Sequence, residues 1–281
     1  RKDLDRQFIN VGVAEQNMVS IAAGLALGGK KVFIYGLASF VSMRCFEQIK
    51  VDLSGMNLPV TIIAAGPGLT YHSDGPTHHA VQDVAIIRSL PGVAIFTPSD
   101  ARMAAGVARI SYRADTPVYV RLDKGKFPQL YSDNEDFLKG IALLEKGKDL
   151  LIITTGAMVH EAMQLADELK RDSFDAGVVD LYRIKPVNEK LLLSMIHNTS
   201  CLITLEEHSI IGGLGSVLCE ILVDHRKCIP MKRIAIDDKC LLRYGNREWM
   251  HLKYKMDLES VKKTIKSFLK ESKKEEHERL L

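Results

Sequence analysis

The chain has 281 residues, of which 26% are charged and 46% hydrophobic, with a formal net charge of +3. This balance is that of an ordinary globular protein and argues against a charge-driven nucleic-acid module, a disordered tail protein and, with no run of 18 apolar residues, a membrane-spanning chain. Cys45, Cys201, Cys219, Cys228 and Cys240 include no CxxC pair and no signal peptide opens the chain, so free thiols and a cytoplasmic setting are expected. The length suits two domains.

In chain order, residues 10–27 (NVGVAEQNMVSIAAGLAL) hold a single acid, Glu15, in an otherwise uncharged run. Met18, Ile21, Ala22 and Leu25 recur at helical spacing with Ala and Gly between them, which predicts a helix packed closely on several sides. Glu15 in its first turn has two readings. It caps the helix, where the macrodipole favours an acid, or it is a buried carboxylate that needs a partner. With such a helix so soon after Arg1 and no strand before it, the sequence is expected to start inside a domain whose N-terminal segment is missing.

Strands are predicted at 31–35, 60–64, 93–96 and 118–122, and helices at 41–51 (carrying Arg44), 81–89 and 100–112. The alternation points to a parallel sheet covered by helices. Lys, Gly, Pro, Asp and Asn then place a linker at 123–138. A second alternating unit follows, with strands at 150–154, 176–180, 201–205 and 231–236, and helices at 158–170, 188–196 and 215–222. A long terminal helix begins near Leu258, and its mixed charge reads as a solvated amphipathic face. The fold class expected is α/β with two domains, 1–122 and 139–281, each a mostly parallel sheet covered by helices.

The loop at 65–80 places Tyr71, His72, Asp74, His78 and His79 within nine residues. A metal site, a solvated turn and a polar site at the end of a parallel strand are the three readings. Adjacent His78 and His79 do not readily face one ion and no cysteine lies nearby, which disfavours metal. The strand end is where α/β sheets bind ligands. Arg121 closes the strand PVYVRL, where a guanidinium either forks onto a phosphate or pairs with Asp123 or another carboxylate. The segment EEHSIIGGLGS approaches a dinucleotide fingerprint, with Asp237 downstream, but Leu218 stands where the third glycine belongs, so a close-packed helix start is expected and His208 reads as structural.

Taken together, GVAEQNMVSIAAGLAL, LPVTIIAAGPG, SDGPTHHAVQDVAIIRSLPGVAIFTPSD and PVYVRL resemble the pyrimidine-binding domain of transketolases and 1-deoxyxylulose-5-phosphate synthases. GVVDLYRIKPVNEKLLL and LITLEEHSIIGGLGS resemble the C-terminal domain of the same superfamily. The resemblance implies thiamine diphosphate as cofactor, with Glu15 on its aminopyrimidine ring and Phe40 and Arg44 beside it. It implies a substrate site of Asp74, His78 and Arg121, with Asp74 and His78 on sugar hydroxyls and the carbonyl end and Arg121 on the phosphate, and His72 joins them as a substrate contact by its proximity in the loop alone. Glu15 and His78 are the catalytic candidates.

The family holds the diphosphate and Mg²⁺ with a GDG motif that does not occur here, so no metal ligand is assigned to this chain. The expectation is the C-terminal subunit of a split transketolase, working with an N-terminal subunit in an α2β2 heterotetramer of carbohydrate metabolism. It would transfer a two-carbon ketol unit from a ketose phosphate to an aldose. The alternatives are a 1-deoxyxylulose-5-phosphate synthase-like carboligase, normally a single long chain, and a 2-oxo acid dehydrogenase β subunit, which lacks the DGPTH loop.

Overall fold

The computed structural model describes residues 4, 7–132 and 135–280, the side chains of 273–280 excepted. Parts of the expected first domain (1–3, 5 and 6), two linker positions (133 and 134) and Leu281 therefore lie outside the described residues.

The first half builds α1 (Glu15–Leu27), β1 (Val32–Leu37), a helical segment centred on α2 (Phe46–Gln48), β2 (Val60–Ala65), α3 (Asp83–Arg88), β3 (Ala94–Phe96), α4 (Ala101–Arg113) and β4 (Val118–Leu122). The second half continues with β5 (Ala142–Glu145), β6 (Leu150–Thr154), α5 (Met158–Arg171), β7 (Ala176–Asp180), β8 (Arg183–Lys185) and α6 (Glu189–Ile196). It ends with β9 (Cys201–Ser209), α7 (Leu214–Asp224), β10 (Met231–Ile236), α8 (Arg247–Lys253) and α9 (Leu258–Leu280).

Two five-stranded sheets result, in the orders β1-β2-β4-β3-β8 and β10-β9-β6-β7-β5. The buried runs VTIIAA of β2 and LLIIT of β6 lie in sheet interiors, as parallel strands covered on both faces must. Each sheet ends on one antiparallel edge. β5 pairs with β7, and β8 crosses from the second half to pair with β3, setting Ile95 opposite Lys185 and Phe96 opposite Arg183. This crossing strand stitches the halves together, and one apolar cluster accordingly contains both Ile62 of the first sheet and Val179 of the second.

Helix α1 differs from its expected packing. Its buried face is Val19, Ala22, Ala23 and Ala26, while Met18, Ile21 and Leu25 lie half-buried at its margins and Gln16, Asn17, Ser20 and Gly24 are exposed. Small residues face the body, so the helix lies close against it and keeps one side open. The segment predicted as one α-helix at 41–51 is wound as π-helix over Phe40–Arg44 and Ile49–Ser54 around the single α turn of α2. In α9 the stripe Val261, Ile265 and Leu269 is buried, and Lys262 and Lys266 pair with Asp172, just past the end of α5. The start of the tail is therefore docked on the protein's own helix rather than solvated.

Asp100 both caps a helix and holds the chain beyond β4. Its Oδ1 accepts from Met103 N at 2.7 Å, and its Oδ2 accepts from Leu130 N at 2.8 Å and Tyr131 N at 3.1 Å. Asp100→Ala removes a cap and leaves those amides without their acceptor. It is expected to lower stability by about 2 kcal/mol, measured as a shift of the urea midpoint.

Asp180, at the end of β7, is fully buried between Ser99 Oγ at 2.7 Å and Tyr131 Oη at 2.9 Å. Burial pushes its carboxyl up from 3.8 to about 7, although both hydroxyls work in the opposite direction. A folded-state value above the unfolded one favours folding fully below pH about 4, and that contribution is lost as pH rises toward 7. Asp180→Asn is expected to flatten the fall in stability across this window, read from denaturation midpoints at several pH values.

Candidate active site

The residues singled out on α1 and in the loop at 65–80 converge through a chain of contacts. Glu15 opens α1 without capping it, since the N-cap is Ala14 and no side chain caps the helix. Its Oε2 accepts from Arg44 Nη1 at 2.8 Å, so the carboxylate reading holds, with a partner that sequence spacing did not reveal. Its other oxygen accepts no hydrogen bond among the described residues. Arg44 also lies over the Phe40 ring, 4.3 Å from the centroid. The π-helical winding at Phe40–Arg44 is the local feature that carries both side chains.

The Phe40 ring meets His78 edge-on at 5.1 Å, and His78 meets Tyr71 at 6.2 Å. Thr77 Oγ1 lies 2.9 Å from His78 Nδ1, and Nε2 has no hydrogen-bond partner among the described residues. Glu15, Arg44, Phe40, His78 and Tyr71 thus form one continuous strip. The loop delivering His78 is closed at its base by paired bonds of 2.9 Å between the backbones of Gly68 and Ala80. Asp74 is exposed in a turn where its own N–H donates to Tyr71 O at 3.1 Å.

His79 differs from its neighbour in environment. It is buried, neither ring nitrogen has a hydrogen-bond partner among the described residues, and burial lowers its proton affinity, which favours the neutral ring. His72 is committed through Nδ1 to Gly245 O at 2.7 Å, which makes it a tether to the second half of the chain.

Arg121 is buried and engages a carboxylate through Nε. It is 7% exposed, and its Nε donates to Asp83 Oδ2 at 2.8 Å. The pairing alternative is the one found, although the partner is Asp83 rather than Asp123. Tyr119 Oη donates to the same oxygen at 2.9 Å, and burial together with Asp83 pushes the Tyr119 hydroxyl well above its ordinary value. Arg121 also lines a small cleft with Gly68, Thr97, Thr155, Glu207 and Arg247. Lys124 is a cation on the loop side, its Nζ 5.4 Å from the centroid of Tyr71. Sequence reasoning passed over Lys124 because it falls in the expected linker.

The glycine-rich turn before α7 is a close-packed helix start, as expected. Glu206 accepts from Leu214 N at 2.7 Å and Gly215 N at 2.8 Å, occupying with its own carboxylate the position where a helix N-terminus receives a ligand anion. A Cβ on Gly213 would come within 2.1 Å of Glu206 Oε2, so a larger residue there would have to displace that carboxylate. His208 is buried, with Nδ1 on Ser209 O at 2.8 Å, and Asp237 is exposed beside Lys239.

The groups at the strip suit the pyrimidine end of thiamine diphosphate. A carboxylate oxygen without a partner and an aromatic ring lie together, joined by one guanidinium. No helix among the described residues is long and apolar enough to cross a membrane.

Comparison with known proteins gives the arrangement its family. Residues 1–129 match the transketolase pyrimidine-binding domain, and residues 140–261 match the transketolase C-terminal domain. The chain is similar to one of the subunits of an apulose-4-phosphate transketolase from Phocaeicola vulgatus, at 38% identity over 96% of this chain and 86% of that protein. It is also similar to a solved split-gene transketolase described as an inactive beta4 tetramer, with 32% identity, a TM-score of 0.88, and coverage of 96% of this chain and 86% of that one. A 1-deoxy-D-xylulose-5-phosphate synthase of Caldanaerobacter subterraneus subsp. tengcongensis is 32% identical over 94% of this chain, but only 42% of that protein is spanned. The chain belongs to the transketolase family, carrying its pyrimidine-binding and C-terminal domains in the arrangement of a split-transketolase C-terminal subunit.

Proposed function

We propose that this subunit supplies the pyrimidine half of a thiamine-diphosphate site and, with an N-terminal subunit holding the diphosphate and Mg²⁺, transfers a two-carbon ketol unit from a ketose phosphate to an aldose. The observation that carries this is the strip running from Glu15 through Arg44 and Phe40 to His78. When bound, the cofactor supplies the carbanion chemistry. Glu15 holds a proton in a hydrogen bond with the pyrimidine ring nitrogen, using the oxygen that Arg44 leaves open. Phe40 provides an apolar surface for the ring, and Arg44 fixes the positions of both. His78 Nε2 hydrogen-bonds the substrate at its carbonyl end, Asp74 takes a sugar hydroxyl, and Lys124 on the loop side attracts the phosphate.

Several observations support a two-subunit site. Beside Glu15, Val13 is 92% exposed, and Leu27 is exposed at the far end of α1, apolar surface of the kind that a partner domain covers. The similar split-gene protein is described as inactive in its beta4 form. We read the assembly as α2β2, the domains as 1–122 and 139–281 around a linker at 123–138, and the setting as the cytoplasm, where the free cysteines are stable. Calorimetric titration with thiamine diphosphate and Mg²⁺ is expected to give saturable binding for the mixed subunits and none for this chain alone. Equal binding by this chain alone would overturn the shared site.

A further inference from the structure

The β2–α3 loop that delivers Asp74 and His78 stands on a buried ionic base that belongs largely to the other half of the chain. Glu207 Oε1, from β9, accepts from Leu69 N at 2.6 Å, and Asp123 Oδ1 lies 2.7 Å from Thr70 Oγ1, whose single hydroxyl hydrogen has Pro67 O at 2.6 Å as its other acceptor. Arg247 of α8 joins these two carboxylates. Its Nε donates to Glu207 Oε2 at 2.9 Å, its Nη2 to Glu207 Oε1 at 2.9 Å and to Asp123 Oδ2 at 2.8 Å, and its Nη1 to Asp123 Oδ1 at 3.3 Å. One helical turn on, His251 bonds the same Glu207 through Nε2, and its Nδ1 lies 3.5 Å from Glu161. Both carboxylates at the base are nearly buried.

The fit at the base leaves little slack. Gly68 has a φ of +61°, and a Cβ there would come within 2.3 Å of Glu207 Oε1. The loop backbone thus rests directly on the carboxylate. Burial alone would raise the Glu207 carboxyl, but Arg247 and then His251 outweigh it and hold the group ionised at about 2. Above this base the loop is closed by the Gly68–Ala80 bridge and internally bonded, with His72 tied separately to Gly245 O, so a shift at the foot is passed to the rest of the loop.

Removing the guanidinium leaves two buried carboxylates, Glu207 and Asp123, without the cation between them, an arrangement that low-dielectric surroundings penalise heavily. Their separation or protonation shifts the foot of the loop, and with it His78 relative to Phe40 and Glu15. A displacement of about 1 Å in a reacting site costs on the order of a hundredfold in rate.

We propose that Arg247 is a positioning residue for the ketol-transfer site: by bridging Glu207 and Asp123 it fixes the foot of the β2–α3 loop and so sets His78 against the Phe40–Glu15 pair. The catalytic part of this inference rests on the reaction proposed above, whereas the structural part does not.

The test uses the assembled two-subunit enzyme carrying wild-type chain, Arg247→Gln, Arg247→Lys or Thr70→Val. Amide exchange over residues 68–80, kcat and KM for the ketose donor, and thiamine diphosphate affinity are measured for each. For Arg247→Gln the expected result is exchange in 68–80 faster by about tenfold or more, with α4 peptides unchanged. Its kcat/KM should fall about a hundredfold, with near-wild-type cofactor affinity, because Glu15, Phe40 and Arg44 lie on other elements. Arg247→Lys should recover part of both effects. Thr70→Val, which removes the loop-side hydroxyl with its contacts to both Asp123 and Pro67 O, should loosen the same window more mildly and keeps the test open if Arg247→Gln does not fold. Unchanged exchange in 68–80 for Arg247→Gln, or for Thr70→Val where only that variant folds, overturns the proposal. So does a loosened loop with undiminished kcat/KM. If the wild-type pair transfers no ketol unit, the reaction reading fails by itself, and the exchange data alone decide whether Arg247 holds the loop.

Discussion

Glu15→Ala is expected to reduce ketol transfer by the assembled enzyme by about 10²–10⁴-fold, the range over which positioned proton-transfer groups act. The fold should survive. Among the described residues Glu15 pairs only with Arg44, whose side chain is 46% exposed, and ion pairs that open to water contribute no more than about 1 kcal/mol. Glu15→Gln, which keeps the size and one hydrogen-bonding oxygen, should retain Arg44 but hold no exchangeable carboxyl proton, and its loss should stay close to that of alanine. Turnover and urea midpoints on the same preparations separate the two contributions. A Glu15→Ala enzyme with near-normal turnover would remove Glu15 from the chemistry.

The second large effect is structural. Asp83 is fully buried and serves Arg121 and Tyr119 through one oxygen. Asp83→Ala leaves a buried guanidinium without its counter-charge, and breaking a buried pair from one side costs about 3–5 kcal/mol. Asp83→Asn should cost less, since an amide oxygen still accepts from both neighbours. The check is the denaturation midpoint of each variant. A fall below about 1 kcal/mol for Asp83→Ala would mean that Arg121 reaches water, restoring it as a candidate for the substrate phosphate.

The parts of the molecule legible in the sequence are those with a local pattern. Alternating apolar strands and amphipathic helices foretold the two mostly parallel sheets. The uncharged run around Glu15 and the histidine-rich loop marked what the structure joins through Phe40 and Arg44. The misses have physical causes. β5 and β8 are short antiparallel edges of four and three residues, too brief to show a period and placed by pairing with distant strands.

β9 was expected to stop at Leu205 but continues through Glu206, Glu207 and His208. Buried acids look like surface in a pattern, because their partners, Arg247 and the amides of Leu69, Leu214 and Gly215, lie elsewhere in the chain. α8 was missed for a related reason, since its seven residues include exposed Leu252 alongside buried Met250 and His251. Arg121 had a sound local rationale as a phosphate ligand, yet its partner Asp83 lies 38 positions away. Spacing alone does not distinguish a guanidinium aimed at solvent from one folded back on a buried acid.

The most direct measurement is ketol transfer from a ketose phosphate to ribose 5-phosphate, with thiamine diphosphate and Mg²⁺, by this chain alone and with an N-terminal transketolase subunit. Transfer only in the mixture, lost in Glu15→Ala, is the predicted result. A mixture that binds cofactor and transfers nothing from ketose phosphates, but joins pyruvate to an aldehyde, would contradict the account and assign the site to carboligation.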